Sequence, residues 1–196
     1  MKCFHPRRLI RRLPFIICKA RFILMSRSHH VNCQIGDNSL LKDCAVFSKG
    51  EGEIIIGEGC NIKNTVFKFY GKGGRIIIKD HVKINALPEA KTILAVKDST
   101  SIRIDEGCLL SNSIDISTTD WHSVLNESGD RINHEKDVHI REHVWIGRKV
   151  TIFKGVGISP NSIIGACSVV TKSFEEGNVV IAGNPAIIKR KNVDWR

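Results

Sequence analysis

The last third of the chain repeats every six residues, and this limits its fold more than any other feature. Ile140, Ile146, Ile152, Ile158, Ile164 and Val170 are spaced six apart without a break. Four residues after them come Val144, Val150, Val156, Ser162, Ser168 and Phe174, all but the last small or β-branched. Such a period fits neither a helix nor the simple alternation of a strand. It describes a short extended segment, a bend, and a return to the same inward-facing geometry. Repeated, this gives a flat-sided coil in which one aliphatic per face points inward and stacked coils pair their backbones. The small residues sit where the corner is tight.

The same register recurs upstream, less regularly. It runs from Ile35 to Leu41, from Ile56 to Ile62, from Ile78 to Ile84, and from Ile104 through Leu110 to Ile116. The interruptions at 64–75, 86–101 and 117–139 are expected to be loops or irregular coils that protrude from the stack. Gly36, Gly57, Gly147 and Gly165 follow an inward aliphatic, where a bend favours glycine. The composition agrees with a stack of thin rungs. The chain has 28 Ile, 15 Val and 10 Leu, while aromatics make up only 6%.

The formal charge of +10 is unevenly placed. Residues 1–36 hold eight Lys/Arg and no acid, so the remaining 22 Lys/Arg and 20 Asp/Glu leave the body only +2. This excludes a basic nucleic-acid-binding body, and no nucleic-acid partner is expected. The first 34 residues interleave Leu9, Ile10, Leu13, Ile16, Ile17 and Phe22 with Arg7, Arg8, Arg11, Arg12, Lys19 and Arg21. Lys19 and Arg21 break the apolar run, so a transmembrane helix is not expected. A short amphipathic helical segment fits, either lying on an anionic cytoplasmic membrane face or packing on its own oligomer. Seven cysteines without a C-x-x-C pair read as small apolar fillers in a reducing compartment.

The hexads, together with TTDWHS, HVWIGRKV, IIGACSVVTK and AGNPAIIKR, resemble those of the hexapeptide-repeat acyltransferases. The likeness covers residues 35–191. The basic N-terminal segment and the closing VDWR resemble the branch that O-acetylates bacterial capsule, lipopolysaccharide or sialic-acid polymers. The resemblance implies an all-β fold, a left-handed parallel β-helix over 35–185, with loop 117–139 carrying the active site and a C-terminal tail over 186–196. It also implies acetyl-CoA as acetyl donor, a glycan acceptor, no metal, and a homotrimer in the cytoplasm, at the inner face of the membrane. An acetyltransferase of the same fold for a small sugar, an amino-sugar nucleotide, serine or an antibiotic is the alternative. A non-catalytic scaffold is disfavoured by the pairing of His122 with Trp145. A zinc site at His139 and His143 is disfavoured because their side chains need not converge on a β-coil.

The chemistry accounts for the residues singled out. Acetyl transfer to a sugar hydroxyl needs a group that takes the hydroxyl proton near neutral pH, which an imidazole does. The resemblance gives this role to His122. Asp120, two residues earlier, either orients the imidazole, contacts the acceptor, or forms the turn. Trp145 follows a small-slot valine, so its ring should project outward. In the family a tryptophan at this place lines the acetyl site, where its N–H could stabilise the oxyanion. The resemblance marks Trp145, Gly147, Gly165, Ala166, Thr171 and Lys172 as the coenzyme groove, with Lys172, Lys189 and Arg190 as phosphate contacts. Gly183, Asn184 and Pro185 are expected to form the turn that ends the coil.

Overall fold

The structure is a computed structural model that describes Ile23–Leu24 and residues 30–196. Three ladders of stacked, inward-facing apolar side chains, all aliphatic but Phe67, run the length of a β-solenoid. The ladder of face I is Ile35, Ile56, Ile78, Ile104, Ile140 and Ile158. Face II carries Leu41, Ile62, Ile84, Leu110, Ile146, Ile164 and Ile181. Face III carries Val46, Phe67, Leu94, Ile116, Ile152 and Val170. All these pairings are parallel, as expected of coils related by one turn of a solenoid. Apart from half-buried Ile35, every ladder residue is buried. Burying each such side chain stabilises the fold by about 1.5–3 kcal/mol.

Each corner has its own chemistry. The third residue after an inward aliphatic repeatedly adopts a left-handed backbone, as at Asn38, His81, His143, Asn161 and Cys167. The next residue turns inward again. Cys60, Cys108, Val144, Val150, Val156, Ser162 and Ser168 occupy this slot and are buried. The serine hydroxyls are satisfied locally: Ser168 donates to the Gly165 carbonyl at 2.6 Å and Ser162 to the Pro160 carbonyl at 3.2 Å. Burial pushes the Cys44 thiol up to about 11 and the Cys108 thiol up to about 12. The filler expectation holds for Cys44, Cys60 and Cys108, whereas Cys33 and Cys167 are exposed.

The structure corrects the expected breaks. Residues 64–75 are not a protruding loop. Residues 65–75 belong to the strand Thr65–Ile78, which with Ala45–Ile56 runs unbroken from face III across the corner to face I. Thr92–Lys97, within the second break, extends the same wall. The hexad register is lost here because the wider coil is filled by Phe67 and Phe69, both fully buried, rather than by one aliphatic per face. Where the two long strands turn the corner, Gly50 lies against Gly71, and a Cβ on Gly50 would collide with the Gly71 backbone.

Strand pairing also reaches both ends of the described chain. Ile23–Leu24 is a strand paired with Ala45–Val46. The rest of the basic amphipathic segment lies outside the described residues. At the other end, Gly183–Pro185 reverses the chain, and Ala186–Lys191 pairs antiparallel with Val179–Gly183. Residues 186–191, the first part of the expected C-terminal tail, are therefore a strand. No α-helix occurs among the described residues.

Candidate active site

The excursion after the strand Asp115–Ser117 leaves the solenoid at the edge between faces III and I and returns at Val138–Ile140. Its base is tied down before it emerges. The Thr118 hydroxyl accepts from the Lys97 N–H at 3.1 Å and lies 2.7 Å from that of Thr100. Ser117 donates to the Thr119 carbonyl at 2.9 Å. Trp121 then takes φ +69°, and the His122 N–H donates to the Asp120 carbonyl at 2.8 Å. This tight turn sets His122 on the outside of the edge. Beyond it, residues 124–132 form a small antiparallel hairpin, with Leu125 bridged to Arg131 and the tip closed by the Asn126 side chain.

Half-buried polar groups fix the turn to the solenoid. Asn133 donates to the Asp120 carboxylate at 2.9 Å and to the His122 carbonyl at 2.8 Å. Lys154, on the same edge one coil further, pairs with Asp120 at 2.5 Å and donates to the Asn133 carbonyl at 2.8 Å. Partial desolvation opposes ionisation of Asp120, but the Lys154 and Asn133 hydrogen bonds outweigh it and hold the carboxyl below its ordinary range. Glu135 takes Arg131 at 2.6 Å and Lys97 at 2.9 Å. The Arg131 hydrogen bond, against desolvation and with help from Lys97, keeps Glu135 ionised far below the usual carboxylate range. The Asp120 carboxylate thus faces Lys154 and Asn133, and the exposed imidazole of His122 is held through its backbone.

Trp145 lies elsewhere. It is in face II, pairs with Leu109 and Ile163, and is 39% exposed, so its ring does project outward. The chain terminus folds onto it from the edge between faces I and II. The Trp195 ring stacks on His143 at 4.3 Å and lies 6.2 Å from Trp145, and its Nε1–H donates to the His143 carbonyl at 2.9 Å. His139 instead pairs with Asp105 at 2.6 Å, so the two histidines weighed for zinc have separate partners. Face II is opposite the edge that carries His122. Within one chain, the two residues expected to share an active site are therefore on different sides of the solenoid.

The expected coenzyme residues also divide. Gly147, Gly165 and Ala166 lie at the edge between faces II and III, on successive coils. A Cβ on Gly147 would come within 2.7 Å of the Ala166 nitrogen, and one on Gly165 within 2.9 Å of the Ala182 Cβ. Close stacking of coils therefore requires small residues there. Thr171 and Lys172 are exposed on the edge between faces III and I, one coil beyond Lys154, where Phe153 N–H donates to the Val170 carbonyl. Lys189 and Arg190 are exposed on the last strand. Sequence reasoning missed Lys154, Asn133, Glu135 and Arg131. They are polar residues outside the inward register, and no periodic signal marks them.

No protein-family model matches the chain. A polysialic acid O-acetyltransferase of Neisseria meningitidis is 37% identical over 159 residues, covering 72% of this chain and 74% of that one. The chain belongs to the hexapeptide-repeat acetyltransferases. It is an acyltransferase. A galactoside O-acetyltransferase of Lactococcus lactis is 34% identical over 140 residues, covering 69% of this acetyltransferase and 62% of the other. Among solved structures, the polysialic acid O-acetyltransferase OatWY is 29% identical with TM-score 0.63, covering 89% of this chain and 90% of that one. The solenoid matches the left-handed β-helix acetyltransferases.

Proposed function

We propose that this acetyltransferase moves an acetyl group from acetyl-CoA to a hydroxyl of a bacterial surface glycan, with His122 as general base. The observation that carries the reading is the turn Asp120–Trp121–His122, clamped by Asn133 and Lys154 and leaving the imidazole exposed at the edge between faces III and I. Likeness to polysialic acid O-acetyltransferases supports a glycan acceptor.

The imidazole takes the acceptor hydroxyl proton as the oxygen attacks the thioester carbonyl carbon. The tetrahedral oxyanion then collapses, the carbon–sulfur bond breaks, and the imidazolium protonates the departing thiolate. Trp145 stabilises the oxyanion from a neighbouring copy, because its own chain holds it on the opposite side. This arrangement is met by a closed homotrimer, in which each copy presents its His122 edge to the Trp145 face of the next. Thr171 and Lys172, on the same edge as His122, would guide the coenzyme, with Lys189 and Arg190 at its phosphates. The basic N-terminal segment supports a cytoplasmic site at the inner face of the membrane.

Acetyl transfer against a panel of polysaccharides, read by mass spectrometry of the product, tests the reaction. His122→Ala should lower turnover by at least ~100-fold with the thermal midpoint unchanged. Near-normal turnover would reject the assignment.

A further inference from the structure

The outer surface of face III, beside the His122 turn, carries a row of rings that the fold does not require. In the strand Thr65–Ile78, Phe67 and Phe69 point inward and are fully buried, whereas Lys68 and Tyr70 alternate outward. Tyr70 is the chain's single tyrosine. Its ring lies 5.9 Å from Phe47 on one neighbouring strand and 4.9 Å, edge-on, from Trp121 in the loop. Trp121 immediately precedes His122, is 45% exposed, and has a left-handed backbone that a bulky residue adopts only when held there. Cations are set among the rings. Lys49 Nζ lies 5.8 Å over the Phe47 ring, and Lys68 is in register with Phe47. Phe47 and Tyr70 stand on adjacent coils, and Trp121, the residue before His122, continues the row from the loop.

Rings with interleaved ammonium groups suit a particular ligand. The apolar faces of sugar rings stack on aromatic side chains, and carboxylates on the same sugars pair with lysines. Stacking alone would also accept a neutral glycan, and lysines alone any anion. Building on the proposed reaction, we infer that Phe47, Tyr70 and Trp121, with Lys49 and Lys68, form a track that holds several residues of an acidic glycan and delivers one of them to His122. A monomeric sugar would reach only Trp121, so the track favours polymeric acceptors.

The test measures binding of sialic-acid oligomer, sialic acid monomer and a neutral glucan oligomer to the full chain without acetyl donor. The wild-type protein should bind the acidic oligomer at least about tenfold more tightly than either other ligand, and added salt should weaken that binding. Tyr70→Ala should remove most of this preference. The paired surface changes Lys49→Gln and Lys68→Gln, which leave the rings and the core intact, should weaken acidic-oligomer binding and flatten its salt dependence. Equal wild-type binding of monomer and oligomer, or of acidic and neutral oligomers, overturns the track. So does unchanged oligomer binding in the lysine pair, or an altered oligomeric state in sedimentation, which would make the row an interface between copies. If the rings only brace the loop, Tyr70→Ala lowers kcat on monomer and oligomer alike without changing oligomer binding, and the inference fails. None of these readouts uses transfer, so they stand apart from the His122→Ala result.

Discussion

At Gly147 a resemblance and a physical constraint give the same residue two explanations. The likeness to the family proposes it as part of a coenzyme groove. The structure adds that a Cβ there would lie 2.7 Å from the Ala166 nitrogen on the next coil, with the Ile164 carbonyl also close. A backbone neighbour in a stacked solenoid cannot move aside as a side-chain tip can. Gly147→Val should therefore lower the thermal midpoint by several degrees, even in the absence of coenzyme, through strain of about 1–3 kcal/mol. Differential scanning fluorimetry of the ligand-free protein checks this, and an unchanged midpoint would leave the coenzyme explanation alone. The inward aliphatics are simpler. Ile146→Ala, in the middle of the face II ladder, should cost about 2–5 kcal/mol in denaturant unfolding, because rungs above and below cannot close the cavity.

The elements show where the sequence could be read and where it could not. From Ile104 to Val170, outside the long excursion, one aliphatic every six residues marks each face, and the ladders follow the register directly. Within Ala45–Ile56 and Thr65–Ile78 the strands cross a corner without a bend, and in the second two phenylalanines take over the filling, so the six-residue signal disappears there while the ladders persist. The excursion was legible as an interruption that carries a histidine. Its clamp was not, because Asp120, Asn133, Glu135 and Lys154 come from separated segments and meet only after folding. That clamp predicts a pH response. Asp120 and Glu135 both have carboxyls lowered in the folded protein, so their contribution is complete above the ordinary carboxylate range and is lost as pH falls through their lowered values. Acidification progressively below the ordinary carboxylate range should loosen residues 118–137 before the ladders, which contain no titrating group. Hydrogen exchange read peptide by peptide should show this order, and simultaneous loss of protection in loop and ladders would contradict it.

At the scale of the whole molecule, one chain is an incomplete enzyme if His122 and Trp145 act on the same acetyl group. The His122 turn leaves the solenoid between faces III and I, and Trp145 projects from face II, on the far side of a packed aliphatic interior. No change of side-chain conformation carries either residue through that core. A second copy can bring them together, and a head-to-tail ring does so at every interface. The consequence is testable without a structure of the assembly. His122→Ala and Trp145→Ala should each be nearly inactive as pure proteins. Co-refolded in equal amounts, they should regain roughly a quarter of wild-type activity, since random assembly pairs an intact histidine with an intact tryptophan at about one interface in four. Mixing without co-refolding should restore activity only as fast as copies exchange. If the co-refolded mixture stays as inactive as its parts, while its sedimentation shows mixed oligomers, the two residues do not share an active site, and Trp145 belongs to the interface or to the contact that Trp195 makes beside it.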